Sequence, residues 1–331
     1  MRKFLVVGLL LIGLCHTALA QSVAPKRIGY VRTAAPWLSD LQDGRLDDVA
    51  GIPVKWILFQ TSSEVALALD SGAIDAGITS SAALAAAITR GLDLRLIWIV
   101  NVVNARHVVI FRDGTGIERT RPVTMAGKRI GVTFLSTAHE ALLHALSASG
   151  LSSEDVRLVN LPPADMEAAW KSGRVDAVCL GGTRTAAVLA AIAGERVLLE
   201  PSPEAPFHGL VASPDFISRE GRFLTSLVGT LAQSVSGQSE QAQRARPPRG
   251  RNVRDREDES PVDPGQFVFP TLAEQLGTQW LGGPGPAGVA RRLAATAERV
   301  SPARQPRATI DYAGSITAEL LSKVATTGSS R

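Results

Sequence analysis

The sequence predicts an α/β protein made of two similar lobes, each a mainly parallel sheet flanked by helices, with a cleft between them. Three observations support this. Lys26-Arg27-Ile28-Gly29 returns as Lys128-Arg129-Ile130-Gly131, and Ser71-Gly72-Ala73-Ile74-Asp75-Ala76 returns as Ser172-Gly173-Arg174-Val175-Asp176-Ala177. A spacing of about a hundred residues exceeds the roughly 20–50-residue period of solenoid repeats and fits duplicated lobes. Short β-branched runs alternate with helical patterns from residue 26 to about 235, the signature of strands joined by crossover helices. Finally, 45% hydrophobic residues in a 331-residue chain supply enough apolar surface for two cores.

Taken in order, the β-branched runs predict strands at 27–32, 53–59, 74–79, 94–102, 107–112, 129–133, 156–160, 175–180, 196–199 and 209–212. Helical periodicity predicts helices near 37–48, 62–71, 81–90, 137–149, 164–172, 183–193 and 218–234. Amphipathic patterns resume at 270–281 and 286–300, and 309–324 reads as a terminal helix packing back on the first lobe. The repeat places the lobe change between Asn101 and Arg112, with a return near Phe207–Ala212. Lobe 1 is then 21–105 with 210–331, and lobe 2 is 106–209. The stretch 236–260 differs in kind, with six Arg, adjacent Pro247 and Pro248, and almost no apolar residues. It reads as a solvated linker or insertion and predicts no packed helix.

The ends bound the compartment. Arg2 and Lys3, the apolar run Phe4–Leu14 and Ala18-Leu19-Ala20 match a cleavable secretory signal over residues 1–20. That run is too short for a typical span of ~20 residues, so an exported protein is expected. Only Cys179 lies beyond the signal, which leaves no internal disulfide. The net charge of +4 includes Arg2 and Lys3, and with 5% aromatics it gives little support to nucleic-acid or membrane partners.

Ligands in such sheets bind beyond the carboxyl ends of strands, where helix N-termini present free N–H groups to anions. Hydroxyl residues cluster at those junctions: Ser80 and Ser81 after one strand, Ser136 and Thr137 after another, and Gln60 and Thr61 with Ser62 and Ser63 after a third. Each is also an ordinary helix cap; their agreement across both halves is what points to a ligand. The repeat partner of Ser80-Ser81 is Gly181-Gly182-Thr183, where small residues let backbone approach a ligand. Trp37 follows Pro36 at a junction expected to face the cleft, with Tyr30 similar; core packing is the alternative for both. Asp75 and Asp176 hold equivalent repeat positions and are expected to fix a helix-to-strand turn, catalytic acids being the alternative. No phosphate loop, nucleophile elbow or metal-ligand spacing is present, so no catalytic residue, cofactor or metal is assigned.

The segment Phe134-Leu135-Ser136-Thr137-Ala138-His139-Glu140-Ala141-Leu142-Leu143, with Gly127–Val132 before it, resembles the taurine and aliphatic sulfonate binding proteins of ABC importers. Leu69–Asp75 and Ser80–Ala85 continue the likeness, which covers roughly residues 27–235 and returns at Phe269–Leu276 and Trp280–Gly283. The resemblance implies a type II periplasmic binding protein fold. It implies a monomeric receptor that captures a sulfonate and delivers it to a permease, with Ser80, Ser81, Ser136 and Thr137 as anion contacts and His139 beside them. Where taurine receptors commonly carry acidic residues near the two crossings, this chain has Arg106-His107 and His208. Arg106 and a protonated His208 would repel an ammonium, so the expected ligand is an anion lacking an amine, with one carrying a second acidic group as a further option. The alternative on the same fold is an enzyme resembling the pyrimidine synthases of thiamine biosynthesis, or a protein binding the precursor; the enzymes need a cofactor-bearing lysine and a Cys/His metal cluster that the sequence does not show.

Overall fold

A computed structural model describes residues 24–104, 107–118, 121–181, 195–199, 204–244, 267–282, 288–301 and 310–328. The signal segment, the helix expected at 183–193 and the site candidates Arg106, Gly182 and Thr183 lie outside the described residues.

The chain runs β1 (Lys26–Val31), α1 (Trp37–Gln42), β2 (Asp48–Val49), β3 (Ile52–Phe59), α2 (Ser62–Asp70), β4 (Ala76–Ser80), α3 (Ser81–Thr89) and β5 (Arg95–Val103). It continues with β6 (Val108–Phe111), β7 (Arg129–Val132), α4 (Thr137–Ala148), β8 (Arg157–Asn160), α5 (Met166–Lys171), β9 (Ala177–Leu180) and β10 (Glu195–Leu198). The last part holds β11 (Phe207–Ala212), α6 (Pro214–Arg219), α7 (Gly221–Arg244), β12 (Phe267–Val268), α8 (Leu272–Gln275), α9 (Gly288–Val300) and α10 (Glu319–Gly328).

These strands form two sheets, a seven-stranded one ordered β12-β5-β11-β4-β1-β3-β2 and a five-stranded one ordered β10-β6-β9-β7-β8. The chain enters the second sheet between Val103 and Val108 and returns between Leu198 and Phe207. Each sheet has a parallel nucleus, β3-β1-β4 and β8-β7-β9. The strands that first follow a crossing, β6 and β11, run antiparallel to their neighbours. A helix crossover returns the chain to the starting edge of a sheet, whereas a strand arriving from the other sheet begins at the seam, where β4 and β9 end. The carboxyl ends of both nuclei therefore face the same seam.

The repeated phrase is a structural clip. Asp75 accepts hydrogen bonds from Arg27 N at 2.7 Å and from its guanidinium at 3.2 and 2.6 Å. Asp176 does the same for Arg129, at 2.8, 3.1 and 2.6 Å. The fork pins the turn before β4 and β9 to the start of β1 and β7, so both aspartates serve the fold, as their repeat position predicts. The conserved phrasing extends to glycine: a Cβ at Gly29 would stand 2.5 Å from Ile74 Cδ1, and one at Gly131 2.7 Å from Leu161 Cδ1. The guanidinium holds Asp75 below the usual carboxylate range despite burial, which acts the other way as the largest single influence. Asp75→Ala is expected to cost about 1–2 kcal/mol after solvent screening, visible as a lower thermal midpoint; an unchanged midpoint would mean that backbone alone holds the turn.

The main core lies between the first sheet and α1, α3, α7 and α9, with Ile28, Trp98, Phe223 and Leu293 at its centre. A second core joins α4 to β7 and β9 through Ile130, Val132, Leu142 and Cys179. Four expectations need correction. The first helix stops at Gln42, because Asp43 and Gly44, at φ 72°, turn the chain. The pattern at 270–281 gives helix only over Leu272–Gln275, ended by the turn through Gly277. And α7 reaches Arg244, ten residues past its predicted end at 234 and into the stretch read as a linker, because Gln, Ser, Glu and Arg sustain a helix without an apolar stripe. Last, the terminal helix expected at 309–324 forms only over Glu319–Gly328, although residues 310–328 do return to the first half: Leu320 and Leu321 join its core, and Leu96 pairs with Ile316.

Candidate functional site

At the seam, a cavity of about 120 Å³ opens between the two parallel nuclei. Arg32 and Thr33 reach it from the end of β1, Gln60, Thr61 and Ser62 from the end of β3. Thr133, Ser136, Thr137 and Gly181 reach it from β7 and β9, and His208 from the start of β11. Phe267, Val103 and Met166 supply an apolar side.

Two helices open onto this wall. Thr61 caps α2 in a capping box with Glu64, and Ser136 caps α4 by accepting from His139 N at 3.2 Å. First-turn N–H groups have no partner inside a helix, so those of Ser62, Thr137 and Ala138 remain at the wall. The dipoles of both helices add partial positive charge there. Leu135, the residue before the α4 cap, sits at φ 56°, a left-handed backbone that is costly for leucine. It turns the chain sharply so that α4 begins at the cavity.

Arg32, exposed, is the single charged residue among those that line the cavity. The sequence signal was present, since Arg32 directly follows a strand whose carboxyl end faces the cleft. Thr33, Thr133 and Asn101 were also missed, and all three are buried.

The seam separates the predicted residues. Gln60, Thr61, Ser136, Thr137 and His208 line the cavity. Ser80 and Ser81 do not. Ser80, 0% exposed, caps α3 and donates to Leu135 O at 2.6 Å, while Ser81 donates to Glu140 Oε2 at 2.6 Å. Both hydroxyls are spent holding the two halves together. His139 is also off the wall, its Nδ1 accepting from Leu135 N at 3.2 Å and its ring stacked on Phe134. Tyr30 and Trp37 belong to an aromatic cluster with Trp56, with Trp37 and Trp56 stacked at 5.2 Å, on the core side of the first sheet.

His208 differs from expectation in charge. Burial, reinforced by His107, lowers its pKa to about 4, so the ring is neutral near pH 7 and does not repel an ammonium. Burial likewise lowers His107 and His139 to about 4 and pushes the Cys179 thiol up to about 12. Among the described residues, no group of three His, Cys, Asp or Glu side chains could hold a metal ion, and no helix is long and apolar enough to cross a membrane.

Two sheets joined by a double crossing, with helix N-termini meeting at the seam, define the fold class of periplasmic solute-binding proteins. The NMT1/THI5-like family profile matches residues 48–232, and the chain belongs to that family. The taurine-binding periplasmic protein of Escherichia coli (strain K12) is 28% identical over 167 residues, covering 50% of this chain. That match takes in 51% of the relative, so the chain spans about half the length of that protein. A second protein of the same strain, assigned by name to aliphatic sulfonates, is 25% identical over 235 residues, 70% of this chain and 72% of the relative. Among solved structures, the alkanesulfonate-binding protein SsuA of Xanthomonas axonopodis pv. citri, bound to MOPS, shares the fold with a TM-score of 0.58. It is 21% identical, and the alignment covers 94% of this chain and 93% of that one.

Proposed function

We propose that this chain is the periplasmic receptor of an ABC importer, exported by residues 1–20, which captures a small organic sulfonate or related anion and delivers it to a permease. The halves 21–105 with 210–331, and 106–209, act as lobes that close on the ligand about the two crossings, and the receptor works as a monomer. No reaction is assigned to it. The observation that carries this reading is the cavity itself, where two helix N-termini and Arg32 converge with neutral hydroxyls. A sulfonate stays ionised and offers three acceptor oxygens, which N–H groups, hydroxyls and one guanidinium satisfy without further countercharge. The names of the relatives support the same ligand class.

The test is calorimetric titration of the purified mature protein with ethanesulfonate, sulfate and nitrate. Sulfonate binding is expected, and Arg32→Glu is expected to weaken it about 10- to 100-fold, the scale of losing a charge-assisted bond and adding a like charge. Titration showing no heat with any sulfonate, from a cooperatively folded sample, would remove the sulfonate assignment.

A further inference from the structure

We infer that His208 selects sulfonates whose far end carries a hydrogen-bond donor, by presenting a bare Nε2 acceptor to the cavity. This rests on the receptor reading above and adds the specificity of the same site.

The argument begins at Asn101, which is 0% exposed. Its Nδ2 donates to Ala34 O at 2.5 Å and to Thr33 Oγ1 at 2.9 Å. Reversing the amide would set its oxygen against the Ala34 carbonyl, so Oδ1 must be the atom that faces His208. Oδ1 lies 3.0 Å from His208 Nδ1, with Thr33 Oγ1 at 3.2 Å. An amide oxygen can only accept. The Nδ1 atom therefore carries the proton and donates it to Asn101. In a neutral ring the other nitrogen is then an acceptor.

His208 is 9% exposed and forms part of the cavity wall. Its Nε2 has no protein partner among the described residues. A ring held by a network on one side, with an unpaired acceptor on the other, lacks only a donor, and the cavity is where one would arrive. The neutral state agrees with its burial and with the nearby His107. A tail ending in carboxylate would set oxygen lone pairs against Nε2. A hydroxyl or an ammonium would complete it, and a methyl would leave it unpaired.

The experiment titrates the wild-type protein with four sulfonates that share a two-carbon chain: 2-hydroxyethanesulfonate, taurine, ethanesulfonate and sulfoacetate. The hydroxyl or the ammonium compound is expected to bind about 5- to 10-fold more tightly than ethanesulfonate, with sulfoacetate weakest. Which of the two donors leads identifies the donor type. His208→Phe is expected to bring the donor compounds and ethanesulfonate within about twofold of each other. Ethanesulfonate equal to both donor compounds, or sulfoacetate tightest, overturns the assignment while leaving the receptor intact. The tautomer is read separately by nitrogen NMR of 15N-histidine-labelled protein: Nδ1 protonated and Nε2 bare is expected, and a proton on Nε2 overturns the inference. That reading needs no ligand, so it decides the matter even if no sulfonate binds and the receptor proposal fails.

Discussion

Urea unfolding repeated at pH 7, 6 and 5 is expected to show steep loss of stability as the solution acidifies. His107, His139 and His208 are all buried, and burial lowers each to about 4. In the unfolded chain the same rings titrate at the ordinary histidine value of 6.5. Between those limits the unfolded state binds more protons than the folded one, so stability is full above pH 6.5 and is lost as pH falls toward 4. Each ring contributes up to about 1.4 kcal/mol per pH unit in that window. Three together reach a few kcal/mol per unit, against a total stability of about 5–15 kcal/mol for typical domains. His144 is lowered by burial as well and adds to the same loss, whereas the carboxyl groups behave differently. Asp75 and Asp176 are held low by their arginines, so their contribution disappears only below the ordinary carboxylate value of 3.8. Glu140 is raised by burial, and its contribution runs the other way, being complete below 4.5 and lost as pH rises through its folded value. Flat stability from pH 7 to 5 would show that the histidines accept protons in place.

Much of this architecture was legible because it is written locally. The ten predicted strands are all present, since β-branched runs bounded by Gly, Asp and Ser carry their own period. The strands β2 and β12 were not legible, because two residues define no period and only their partners make them strands. The orientation of β6 and β11 depends on where the chain crosses the seam, which no local pattern encodes. The same limit applies to the site. Thr61, Ser80 and Ser136 give identical cap signals, yet Ser80 faces the opposing half while Thr61 and Ser136 face the cavity. That distinction follows from how the two sheets meet. The tautomer of His208 was equally hidden, because the partner that fixes its proton, Asn101, is 107 positions away along the chain.

Glu140→Ala is expected to loosen the seam and lower the thermal midpoint by about 3–5 °C, the shift for about 2–3 kcal/mol in a chain of this size. Glu140 belongs to α4 on the second half, is 2% exposed, and reaches into the first. Its Oε2 accepts from Ser81 Oγ and its Oε1 from Thr296 Oγ1, both at 2.6 Å. Ser81 Oγ in turn accepts from Phe207 N at 3.2 Å, where the chain re-enters the first sheet. One carboxyl thus ties α3, α4 and α9 where the halves meet. Helix α9 spans the same seam, with Val289 and Leu293 in the first core and Val300 packed on the second. Truncation leaves two buried hydroxyls without an acceptor and opens a void, both costly. Burying a carboxyl is itself unfavourable, so an apolar seam of similar volume should recover much of the loss. The triple variant Glu140→Leu, Ser81→Ala, Thr296→Val therefore separates the two contributions. A midpoint well above that of Glu140→Ala alone would show that the orphaned hydroxyls and the void, rather than the lost carboxyl, carry the cost. A triple variant no better than the single one would mean that Glu140 is needed for the packing of α4 against α3 and α9. If Glu140→Ala melts with the wild type, the seam is held by apolar contact alone.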